Sequence, residues 1–206
     1  MGDFAKPLVI GPDFFDAIDS GVDPAEIAAA GNRVAQLLVR GPRVSEDEML
    51  VERVLTLADR EGLCSIAELW STALPDSLAG ALWRLYLLRA WVHNEPSRAA
   101  REFTAGRTWT PVDEVLAGVQ DPPGPREVCI LADDVIRGVL RSDVDVAFDR
   151  AAAFAHIVAV GRAHLAHEDH DNSGDSRQDA LSAVKLMDAA KHLRHAARLE
   201  RAGKLS

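Results

Sequence analysis

The stretch Leu78-Ala-Gly-Ala-Leu-Trp-Arg-Leu-Tyr-Leu-Leu-Arg-Ala-Trp-Val92 constrains the fold of this chain more than any other. Pro75, Asp76 and Ser77 precede it as helix-start residues, and Asn94-Glu95-Pro96 stops it. Its only charges, Arg84 and Arg89, fall within a sector of roughly 140°. A helix apolar around the rest of its circumference belongs in the middle of a helical domain. At about fifteen residues it is too short to cross a bilayer, which takes roughly 20.

The remainder of the sequence agrees. The 206 residues fit one domain, and a hydrophobic fraction of 48% is ample for a core. Leu and Ala dominate, aromatics make up only 5% and Tyr occurs once, a composition that favours helix over strand. Cys64 and Cys129 stand far apart without a motif and read as reduced thiols.

Helix signals recur along the chain. Residues 12–20 form a short helix ended by Gly21. Asp23-Pro24-Ala-Glu26 caps a helix to Val39 that ends at Gly41-Pro42. Ser45-Glu-Asp-Glu48 opens one to Arg60, and Ser65-Ile-Ala-Glu68 opens a short one. After the central helix, Pro96 starts a helix through Phe103 that Gly106 closes, and Thr110-Pro111 starts another that ends at Gly118. Arg126–Leu140 carries Val128, Leu131, Val135 and Val139 on one stripe. Ser142 begins a long alanine-rich helix, and a polar loop at 169–176 separates it from a last helix, 177–202. No stretch alternates like a strand. The expected fold is therefore all-α, a bundle of eight to ten helices with a C-terminal long helical hairpin. Residues 1–206 are expected to form a single helical domain. The Pro-rich linker near 123 offers a subdivision into a globular helical body (1–120) and a C-terminal helical unit (125–206).

Charge narrows the function classes. A net charge of −9 argues against nucleic acid as a general partner, since phosphate neutralisation supplies most non-specific affinity. It suits a cytoplasmic protein. Residues 1–12 contain Asp3 and no sustained apolar stretch, so no secretory leader is expected.

Chemistry-bearing constellations are few. Asp169-His-Asp171-Asn-Ser173-Gly174 spaces oxygens as in the first half of a calcium loop. The twelfth position from Asp169 is Ala180, however, where a bidentate Glu is required, so a solvated hairpin loop is the plainer reading. His164, His167 and His170 lie three apart, and His192 with His195 repeats the spacing. In an antiparallel hairpin His156 with His192 and His195 makes the better metal trio, against the plain reading of helix-surface histidines. Asp133-Asp134 with Arg137 reads as an exposed helix turn. Residues 176–206 hold seven Lys or Arg against three carboxylates, and Lys191, Arg194, Arg198 and Arg201 form a basic stripe. Such a stripe most simply pairs with acidic helices of the same or a neighbouring chain. Arg84 and Arg89 on the apolar helix require partners, either neighbouring carboxylates or an anionic ligand. The sequence carries no Gly-rich phosphate loop, no Gly-x-Ser-x-Gly turn and no His-Glu-x-x-His helix.

Phe14-Phe-Asp-Ala-Ile-Asp-Ser-Gly21, Ala67-Glu-Leu-Trp70, Leu78–Arg89 and Val146-Ala-Phe-Asp-Arg-Ala-Ala-Ala-Phe154 resemble a family of uncharacterised actinobacterial helical proteins. Some members are labelled RNA polymerase beta subunit-like. The resemblance covers most of the chain up to the last hairpin and implies an all-helical fold, with no activity and no site residues to carry over. The expected function is thus a non-catalytic cytoplasmic protein, an interaction or regulatory module that self-associates or binds a protein partner, with no membrane contact and no cofactor. The alternative is a metal or small-ligand sensor using the C-terminal histidines or the Asp169–Gly174 loop.

Overall fold

A computed structural model describes residues 24–41, 49, 56, 63–110, 122–138, 140, 143–168 and 174–206. Over these residues the chain is all-α, with helices α1 (Pro24–Arg40), α2 (Leu63–Glu68), α3 (Leu78–Asn94), α4 (Pro96–Trp109), α5 (Pro125–Ile136), α6 (Val144–Glu168) and α7 (Gly174–Arg201). These seven are fewer than the eight to ten expected. The helices expected over 12–20 and 111–118, and nearly all of 45–60, lie outside the described residues.

Helix α3 begins where its cap residue dictates. Ser77 Oγ accepts the Gly80 N–H at 3.1 Å, and Leu78, Leu82, Leu85, Leu88 and Val92 are buried at helical spacing. The helix is not enclosed on every side, because Arg84 and Leu87 share a sector that reaches solvent. Trp83, Tyr86 and Trp91 flank the core half-buried. One apolar core joins α3 to Leu38 of α1, Val128 and Val135 of α5, Phe148 and Phe154 of α6, and Leu193 of α7. Helices from both sides of the 121–125 linker therefore share it.

Glycines correct the expected boundaries. Gly106 does not end α4, which continues to Trp109. A side chain at Gly106 would overlap the Ile157 carbonyl, and one at Gly161 the Glu102 carbonyl, so these two glycines are where α4 and α6 meet backbone to backbone. Helix α5 stops at Ile136 rather than Leu140 because Gly138 takes a positive φ of 67° against the Leu38 carbonyl.

Helices α6 and α7 form the expected C-terminal hairpin. Arg162 meets Ser182 towards one end and Arg201 meets Asp145 and Asp149 at the other, so the two run antiparallel. Ala147, Ala151, Ala152, Ala153, Ala155 and Ala159 of α6 and Ala190, Ala196 and Ala197 of α7 are buried, and such small residues allow the two packed helices a close approach. Beyond α7 the backbone turns at Gly203 (φ 64°), Leu205 is buried, and the Ser206 carbonyl accepts the Leu78 N–H at 2.9 Å. The Arg40 guanidinium bonds the Leu205 carbonyl and pairs with Glu200 at 3.0 Å, closing the bundle at that end.

Substituting Gly161→Ala should lower stability by at least about 2 kcal/mol, because the obstacle is backbone that no rotamer change relieves. Gly203→Ala, whose side chain would meet nothing, should cost only the positive-φ strain of about 1 kcal/mol. Urea unfolding of the two variants checks the ranking, and equal losses would contradict the tight crossing.

Candidate functional site

Two constellations emerge from this packing, one sealed and one open. The sealed one follows from the α4–α6 crossing. Gly161 brings the helices together, and the next residue, Arg162, thereby reaches Glu102 across the crossing. Arg162 Nε and Nη2 both donate to Glu102 Oε2, at 2.9 and 2.8 Å. Its Nη1 donates to Ser182 Oγ of α7 at 2.5 Å, and its guanidinium lies 4.8 Å from the centre of the Trp91 ring. The other Glu102 oxygen accepts from Arg98 Nε at 2.7 Å, and Arg98 Nη2 reaches Asp179 of α7 at 2.5 Å. Burial works against the Arg98 charge, but the hydrogen bonds to Glu102 and Asp179 outweigh it and raise its pKa above the ordinary value. Glu102 and Arg162 are 2% and 5% exposed, and their polar atoms are spent on one another and on their neighbours. The network ties α3, α4, α6 and α7 together, with the Arg162–Glu102 pair buried at its centre.

This network was not singled out from the sequence, though a signal existed. Arg162 is the first charge after Arg150, at the end of an alanine-rich run, and it stands on the same stripe as Val158 and Ala155, four and seven residues earlier. The arginines that sequence reasoning chose behave differently. Arg84 Nη1 donates to its own helix at the Gly80 carbonyl, 2.7 Å away, and burial lowers its pKa while Asp76 partly restores it. Arg89 Nε meets Asp133 Oδ1 of α5 at 2.5 Å, so Asp133 bridges helices instead of forming an exposed turn. The two arginines do not converge.

The histidines are not gathered either. Among the described residues no group of three His, Cys, Asp or Glu side chains is placed to hold a metal ion. Ala190, Leu193 and Ala197 turn towards α6, so His195, two residues from Leu193, falls roughly 200° around the helix and is exposed. His192 lies on the flank between, and His156 is half-buried on α6. His164 instead packs against Trp109, the rings tilted at 41° with centres 4.3 Å apart, and its Nε2 lies 3.2 Å from Glu168. Asp169, Asp171 and Ser173 lie outside the described residues. On the basic stripe, Arg201 pairs with Asp145 and Asp149 of α6, and Lys191 with Asp188. Cys64 and Cys129 are both free, and burial, the larger effect, raises the Cys129 thiol.

The open constellation is a cleft of about 320 Å³ between α5 and α6, near the lower end of small-ligand pockets. Helix α5 sends Val128, Ala132, Val135 and Ile136 into the core. That leaves Glu127, Ile130, Leu131 and Asp134 as a second stripe at i, i+3, i+4 and i+7. Asp143, just before α6, and Val146, Ala147 and Arg150 of α6 repeat that spacing, and Leu140 of the connection completes the lining. Ile130 and Val146 remain 53% and 47% exposed. The cleft thus has an apolar floor and a rim of three carboxylates and one arginine. Leu131, expected on the core stripe, packs against the core and also lines this cleft.

No protein-family model, no curated protein and no solved structure matches this chain. No helix among the described residues is long and apolar enough to cross a membrane.

Glu102→Gln should destabilise the protein by about 3–5 kcal/mol, because it leaves Arg162 buried without its counter-charge. Glu102→Leu combined with Arg162→Met should recover at least half of that loss. A double-mutant cycle from urea unfolding checks both, and additive losses would mean the pair is not coupled.

The single tyrosine gives a separate readout. Burial first, then a side-chain hydrogen bond with Cys64, push the Tyr86 phenol from 10.0 up to about 12. Its folded pKa being raised, the associated stabilisation is present below about pH 10 and lost as pH rises towards 12. Titration of the tyrosinate absorbance band should show its midpoint well above 10, and an ordinary midpoint would show that Tyr86 is not enclosed.

Proposed function

We propose that this chain is a non-catalytic, cytoplasmic interaction protein whose α5–α6 cleft receives an apolar side chain carried on a basic segment of a protein partner. The observation that carries this reading is the paired i, i+3, i+4, i+7 stripes, which hold Ile130 and Val146 half-exposed above a three-carboxylate rim. Large aliphatic side chains kept at a concave surface lose free energy to water unless a partner covers them. The rim selects the partner by charge, since opposite charges around an apolar contact steer association and reject acidic competitors. The resemblance to actinobacterial helical proteins is compatible with this role and adds no activity to it.

Affinity capture from host lysate tests the reading with three baits: the natural chain, Ile130→Glu in the cleft, and Leu87→Glu at an exposed position on α3. A partner held through the cleft should be kept by the natural chain and Leu87→Glu and be recovered at least about tenfold less with Ile130→Glu. Equal recovery by all three baits of every protein other than this chain itself, or no recovery of anything by any bait, would end this proposal.

A further inference from the structure

We infer that the occupant of the cleft is a second copy of this chain, which inserts the outer face of its own α7. This rests on the cleft reading above and names the partner. The evidence lies on the far side of the hairpin. With Ala190, Leu193 and Ala197 turned towards α6, the opposite side of α7 carries Leu181 and Val184, one helical turn apart and 56% and 59% exposed. Arg177 and Lys185, both exposed, flank that apolar pair.

Cleft and ledge match in three respects. Two aliphatic side chains at i and i+3 oppose two half-exposed aliphatics, Ile130 and Val146. Two cations flank the ledge, while Glu127, Asp134 and Asp143 edge the cleft. A convex helix face meets the concave seam between two helices, the arrangement by which an amphipathic helix docks in a groove. A chain with a net charge of −9 repels its copies on average, so Arg177 and Lys185 beside the apolar pair supply the local attraction at this one place.

The two surfaces lie on different parts of the molecule, so the contact is heterologous: each copy offers a cleft to one neighbour and a ledge to another. Association then extends beyond two copies as concentration rises. The contact area is small, and the assembly is accordingly reversible.

A mixing experiment tests the inference. Ile130→Glu disables the cleft and keeps the ledge, and Leu181→Glu/Val184→Glu disables the ledge and keeps the cleft. All three positions are about half exposed, and circular dichroism melts verify that both variants fold. Val146→Gln serves as a second cleft variant without added charge. In sedimentation velocity the natural chain should grow in mass with concentration, each variant alone should stay at the 22.3 kDa monomer, and an equimolar mixture should reach twice that mass and stop. Only a head-to-tail contact allows two defective copies to restore a single interface. A natural chain that stays monomeric at millimolar concentration, a mixture that stays monomeric, or a ledge variant that still self-associates would overturn the inference. Lysate capture through the cleft decides separately whether the broader reading survives.

Discussion

The C-terminal half of the bundle depends on one contact, the meeting of α4 and α6 at Gly106 and Gly161. Side chains of any size at these positions would hold the helices apart, and Arg162 would then fall short of Glu102. With the glycines in place, the ion pair forms at 2.8 Å where no water reaches it. A buried pair survives its desolvation only when its remaining donors and acceptors are satisfied. Ser182, Arg98 and the face of Trp91 meet that condition, and each comes from a different helix or turn. The pair adds little net free energy over an apolar replacement. What it contributes is specificity, since α7 seats Ser182 on Arg162 and Asp179 on Arg98 in only one register.

Much of this architecture was legible because helix starts are written locally. Ser77 before α3, Pro24 in α1 and Pro96 in α4 lie where capping and the missing proline N–H require them. Helix ends were less legible, since a glycine has two uses that look alike in sequence. Gly41 and Gly138 adopt positive φ and stop their helices, whereas Gly106 and Gly161 stay helical and bring backbones together. Only the partner helix distinguishes the two uses. The central place expected for 78–92 holds, but hydropathy does not say which of several apolar faces the neighbours cover, and Leu87 is left to solvent.

The candidate site was less legible still. Arg84 and Arg89 stood out because their surroundings in the sequence are apolar, yet one bonds its own helix and the other pairs near the surface. Arg162 and Glu102, sixty positions apart, carry the buried charge. Their pairing is a long-range fact that no local pattern encodes. The cleft is intermediate. Each of its stripes can be counted from the sequence, but α5 holds two overlapping apolar stripes, and only tertiary packing shows that Leu131 serves both the core and the cleft. The basic bias of the last helix was visible from the start. The structure divides it, committing Arg201 to α6 carboxylates and leaving Arg177 and Lys185 exposed beside Leu181 and Val184.

The closure at Leu205 and Ser206 bears on how the chain reaches its folded state. The Arg40 guanidinium grips a carbonyl 165 positions further along, and the first turn of α3 takes a hydrogen-bond partner from Ser206. Local helices form within about a microsecond, but contacts of such sequence separation carry a loop-closure cost that must be met before they return any stability. During synthesis at roughly 5–20 residues per second, α1 and α3 therefore wait many seconds with part of their apolar surface uncovered. Residues 205 and 206 thus complete contacts for two helices made long before them.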